Sequence, residues 1–114
     1  MAVLTILLAG CPFAMAQTLT PPQSVAQVKS TVEREKLVSD ANCVDYHYVG
    51  RPFKGVDSVD VVEKHNTACG GDPGTAPRLF TVYVDINDHG MASDKDDPVD
   101  GTFKMLPGPD EAKQ

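Results

Sequence analysis

Arg78-Leu-Phe-Thr-Val-Tyr-Val-Asp85 is the stretch whose reading decides the fold. Phe80, Val82 and Val84 alternate with Thr81 and Tyr83, the period-two pattern of a strand that buries one face and leaves the other to solvent or a partner. Asp85 to Gly90 turns the chain with Asp, Asn and Gly, residues that tolerate left-handed backbone and cap their own amides. Met91 to Ser93 is therefore predicted to return as a neighbouring antiparallel strand. Phe103 to Leu106 reads as a last edge segment, and Pro107 to Gln114 as a polar tail.

Upstream of that strand, Cys69-Gly-Gly-Asp-Pro-Gly-Thr-Ala-Pro77 is too rich in glycine and proline for regular structure. Val56 to His65 is rich in β-branched residues, with Val59 and Val61 alternating with Asp60 and Val62, and reads as a strand. A short helix capped by Asp57 competes with that reading. Gly50 to Gly55 is predicted as a loop. Cys43 to Val49 alternates again, with Val44, Tyr46 and Tyr48 on one side and Asp45 and His47 on the other.

Before Cys43 the period changes to that of a helix. Val25, Val28 and Val32 fall on one arc while Gln27, Ser30 and Arg34 lie opposite, so a helix with one packed face is expected from Val25 to Lys36 with Ser24 as its N-cap. It ends near Leu37 and Val38, and Ser39 to Asn42 makes a turn. Residues 17–23, with Pro21-Pro22, read as an extended linker. One helix followed by strands in series gives an α+β domain over 24–106: an N-terminal helix on a three- to four-stranded antiparallel sheet.

The hairpin from Phe80 to Met91 resembles the closing hairpin of PepSY-like domains, in which an aromatic and valine strand ends in an aspartate and a glycine turn. The turn here is longer than is usual in that family. Cys69 to Pro73 together with Pro77 to Phe80 (CGGDP and PRLF) resemble segments of small exported bacterial proteins without an assigned function. That resemblance implies an exported domain and transfers no catalytic residue.

Export is also expected from the first 16 residues. Residues 2–16 carry no charge, are too short to span a bilayer, and suit the apolar region of a signal peptide. Ala14-Met15-Ala16 is a small-x-small cleavage site that would release a soluble periplasmic or envelope-associated protein. Leu8-Ala9-Gly10-Cys11 competes as a lipobox, which would place a lipid anchor on Cys11 and give the membrane its one route to this chain. Removing residues 1–16 leaves 98 residues, about a third of them apolar, and a single pair of cysteines, Cys43 and Cys69. In an oxidising compartment that pair reads as a disulfide that staples a small core.

Formal charge is −6 and the pI about 4.8, which argues against nucleic acid or an anionic membrane surface as partner. The charge is local. Residues 85–100 hold six aspartates and one lysine, a net of −5. Asp85, Asn87 and Asp96 stand at positions 1, 3 and 12 of an EF-hand-like spacing with Gly90 at 6, but histidine at position 5 and strand-like flanks depart from that motif. Turn formation by these Asp and Asn residues accounts for the same spacing.

The zinc reading of Cys43, Asp45, His47 and His65 lacks a short ligand spacing. Glu63, His65 and Asp72 supply acid and base types beside a glycine-rich loop, but no nucleophile motif accompanies them, so no enzyme and no cofactor are expected. What remains is a non-catalytic, exported protein-binding module. Asp72, Arg78, Asp85, Asp88, Asp94, Asp96 and Asp97 are its candidate contact residues for a basic protein partner, such as a cationic hydrolase that it would inhibit or confer immunity against. A structural or stress-related envelope domain with a Ca²⁺-binding acidic turn is the alternative.

Overall fold

The computed structural model describes residues 17–97 and 99–108. The expected leader, Cys11 with its lipobox and the end of the tail lie outside the described residues. Helix α1 spans Pro21–Arg34. Five strands follow: β1 Val44–Phe53, β2 Val56–Glu63, β3 Arg78–Asp85, β4 Met91–Ser93 and β5 Lys104–Leu106. They pair in chain order as one antiparallel sheet. The α+β architecture is as expected, with five strands instead of three or four.

Helix α1 starts four residues before Val25. Thr20 is the N-cap: its side chain accepts from the Gln23 amide, and the Gln23 side chain accepts from the Thr20 amide at 2.9 Å. This capping box satisfies two amides that a helix end otherwise leaves orphaned. Pro21 and Pro22 occupy the first helical turn, where a missing N–H costs nothing. Ser24 is thereby one turn inside the helix, fully buried, and does not cap it. At the other end Lys36 adopts φ 53, and the Leu37 amide donates to the Val32 carbonyl at 3.0 Å, a Schellman closure with lysine at the position glycine favours. The helix therefore stops at Arg34, short of Lys36.

Register then assembles the core. Tyr46, Val61 and Phe80 stand side by side across β1, β2 and β3, and Tyr48, Val59, Val82 and Ser93 form the next row. Val84 and Met91 pair beyond them. The helix lays Val28 and Val32 over this face, and the valines, Phe80 and Met91 are buried there. Fully burying a valine contributes about 1.5 to 3 kcal/mol relative to exposure, so these rows carry most of the stability of so small a core.

Two segments differ from expectation. Val56–Glu63 is strand throughout, which settles the helix alternative. Residues 50–53, expected as loop, extend β1: Pro52 is tolerated because β1 is an edge strand, and register shifts around Gly50 absorb the irregularity. Gly55, at φ 76, makes the turn into β2.

Cys43 and Cys69 are joined, with Cα atoms 5.6 Å apart and a sequence separation of 26. The bridge ties the start of β1 to the loop that precedes β3.

Candidate functional site

Each expected site residue has a definite place. Arg78 donates to Asp94 at 3.1 Å, and the other Asp94 oxygen accepts from the Thr81 amide at 2.7 Å. Asp94 is buried, so this pair clamps the loop after β4 onto β3 and takes the Asp94 charge off the surface. Asp96 is neutralised by Lys104 at 2.9 Å, a contact that holds its carboxyl below the usual range. Asp97 accepts from the Asp100 amide, and Asp72 from Gly74 at 2.9 Å. Asp85 accepts from the amides of Asn87 and Asp88, and Asp88 from Gly90 at 2.7 Å. Turn capping therefore explains why aspartate is used at these positions.

The proposed Ca²⁺ donors are engaged elsewhere. Asp85 caps its turn, Asn87 accepts from the Thr18 hydroxyl at 3.4 Å, and Asp96 is held by Lys104. Among the described residues no group of three or more His, Cys, Asp or Glu side chains is placed to hold a metal ion. For zinc, Cys43 is oxidised and Asp45 pairs with Lys64 at 3.6 Å.

Glu63, His65 and the Asp72 segment do meet. His65 Nε2 lies 3.5 Å from Glu63, and Nδ1 lies 2.9 Å from the Asp72 carbonyl and 3.0 Å from the Thr75 hydroxyl. A carbonyl oxygen only accepts, so Nδ1 carries the proton. The Thr75 hydroxyl donates to the same carbonyl at 3.0 Å. Thr75 thus faces a donor, with no base on its proton, and the arrangement braces a loop instead of activating a nucleophile. Gly71, at φ 81, lies against the His65 ring: a Cβ there would come within 2.6 Å of it.

Two features escaped the sequence reading. The first is Asp57, fully buried beneath α1. Its carboxylate accepts from Ser24 Oγ at 2.7 Å, the Tyr48 hydroxyl at 2.9 Å and Arg51 Nε at 2.7 Å. Burial alone would push this carboxyl up, but the three donors outweigh it and hold it below its ordinary value. The network locks the helix to β1 and β2.

The second is the sheet face opposite α1. Register aligns Ser58, Tyr83, Ala92 and Met105 in one row, with Phe53, Val56 and Asp85 in the next. Three adjoining hollows on this face share Tyr83: one reaches Val49 and Pro52, one is walled by Phe53, Val56, Ala92 and Phe103, and one ends at Asp85, Asp88 and Met105. Phe103 packs edge-on against Tyr83 at 4.9 Å. Phe53, Phe103 and Met105 keep 65, 52 and 71 % of their surface exposed. Of the seven expected contact residues, Asp85 and Asp88 line this trough.

A separate cleft of about 500 Å³ opens beside the disulfide between Leu37, Val44 and Phe80, with Asp40, Glu63 and Lys95 around it. No helix among the described residues is long and apolar enough to cross a membrane. No protein-family model, no curated protein and no solved structure matches this chain.

Proposed function

We propose that this chain is a small, non-catalytic, exported protein-binding module, of the kind that inhibits a cationic hydrolase or confers immunity against it. The observation that carries the reading is the apolar face left open by the helix, where Phe53, Phe103 and Met105 remain mostly exposed. Large apolar side chains gathered on one face of a small domain mark interaction surfaces. The charge of −6 favours a basic partner and speeds its encounter at low salt. Export is supported by the joined cysteines, which persist in oxidising compartments.

The test is affinity capture from an envelope extract at low and high salt, with wild type and a Phe53→Ser/Met105→Ser variant. Both positions are exposed, so the variant keeps its core. A basic protein retained by wild type, released by salt and absent from the variant is the expected result. An identical set of proteins on both baits sinks the proposal.

A further inference from the structure

We infer that the trough across the open face receives a partner segment whose apolar side chains seat around Tyr83 and whose lysine or arginine seats at the Asp85 and Asp88 end. The inference rests on the protein-binding reading and adds the chemistry and direction of what is bound. Sheet register supplies the length. The trough crosses the strands from β1 to β5, four interstrand steps of about 4.8 Å, or about 19 Å in all. An extended segment of about six residues spans that distance.

Charge supplies the direction. At the edge of the trough where β3 ends and the turn to β4 begins, in the same hollow as Met105, Asp85 and Asp88 each commit one carboxylate oxygen to turn amides, and their net charge is undiminished by any ion pair among the described residues. At the β1 end stands Arg51, whose guanidinium is already spent on buried Asp57. A cation is thus attracted to the turn edge beside Met105 and not to the β1 side of the trough. The same argument disfavours a second copy of this chain, because face-to-face association would bring two acidic ends and two net negative domains together. A basic, apolar segment of a different protein satisfies both the wall and the rim.

Amide-resolved NMR titration tests the inference with two acetylated hexapeptide amides, each with three leucines at alternate positions, one ending in arginine and the other in glutamate. The expected result is perturbation confined to the trough, centred on Tyr83, Ala92 and Met105, with the arginine peptide about fivefold tighter. Asp85→Asn with Asp88→Asn should abolish that preference while keeping the fold, since the asparagine carbonyl still accepts from the turn amides. Met105→Lys, at an exposed position, should repel the arginine peptide and spare the other. Equal affinity for the two peptides, perturbation elsewhere, or no binding of either overturns the inference. So does a dimer in sedimentation that Met105→Lys dissolves. If capture in the extract is still lost on Phe53→Ser/Met105→Ser, the binding-module reading survives and only the cationic direction falls.

Discussion

Asp57→Ala should be strongly destabilising although it removes no apolar side chain from the helix-facing side of the sheet. The wild-type carboxylate is fully buried and accepts three hydrogen bonds, from Ser24, Tyr48 and Arg51. Its removal affects the donors unequally. Tyr48 and Arg51 keep over a third of their surface in water and can be solvated again, so their loss costs little. Ser24 cannot: it has no exposed surface, and a stranded buried hydroxyl costs about 1 to 3 kcal/mol. Adding the vacated volume gives about 3 kcal/mol, a large share of the total stability of a small domain. In thermal melts with the disulfide intact, this is a fall of about 15 °C. Ser24→Ala in the Asp57→Ala background should recover about 1 kcal/mol, because it removes the stranded hydroxyl. Additive losses, or a fall below about 1 kcal/mol, would refute the reasoning.

The same carboxylate predicts an acid limb. Folding lowers its pKa, so its contribution is complete above the unfolded value near 3.8 and is lost as pH falls through the lower folded value. Asp57→Asn should therefore narrow the stability gap to wild type as pH drops below about 4. A gap that stays constant from neutral pH into acid refutes the assignment.

Further substitutions probe the remaining devices. Cys43→Ser with Cys69→Ser opens a loop closed over 26 positions and should cost about 3 kcal/mol by denaturant melts. Thr31→Val removes a buried hydroxyl that has no partner among the described residues and should raise stability by about 1 kcal/mol. Lys36→Gly relieves a non-glycine residue held at φ 53 in the helix closure and should stabilise by about 0.5 to 1 kcal/mol. Gly71→Ala forces a Cβ into the His65 ring at a positive φ, so amide exchange of the loop from Asn66 to Pro77 should accelerate while the sheet core holds its protection.

Period was the legible signal. Alternation in Val44 to Tyr48, Val59 to Val61 and Phe80 to Val84 reports the buried rows, and valine at helical spacing reports the face of α1. The helix start was written in the sequence as well: Thr20 followed three residues later by Gln23 is a capping box, but the proline pair between them reads as a linker unless first-turn proline is considered. The β1 extension was less accessible, because Gly50 and Pro52 signal a loop anywhere except on an edge strand. No local pattern marks Asp57. An aspartate in a strand that alternates polar and apolar residues looks solvated, and only the helix that brings Ser24 above it makes it a buried acceptor.

The acidic stretch shows why composition locates a surface less well than pairing does. Six aspartates within residues 85–100 suggest one patch, yet Asp94 is buried against Arg78 and Asp96 is matched by Lys104 from β5. The cations that cancel them lie outside the stretch, so a local charge count overstates the field it makes. Conversely, the trough draws Phe53 from the end of β1, Tyr83 from β3, and Phe103 and Met105 from the last edge segment. Phe53, Tyr83 and the segment that carries Phe103 and Met105 are separated by about twenty to fifty positions and share no sequence motif. Antiparallel register alone unites them, and it sets Asp85 and Asp88 at one end of the wall they form. A basic partner is therefore recognised by a charge at the end of an apolar surface instead of by a diffuse acidic hairpin. Neutralising Asp96 or Asp97 should leave binding nearly unchanged, whereas neutralising Asp85 with Asp88 should not.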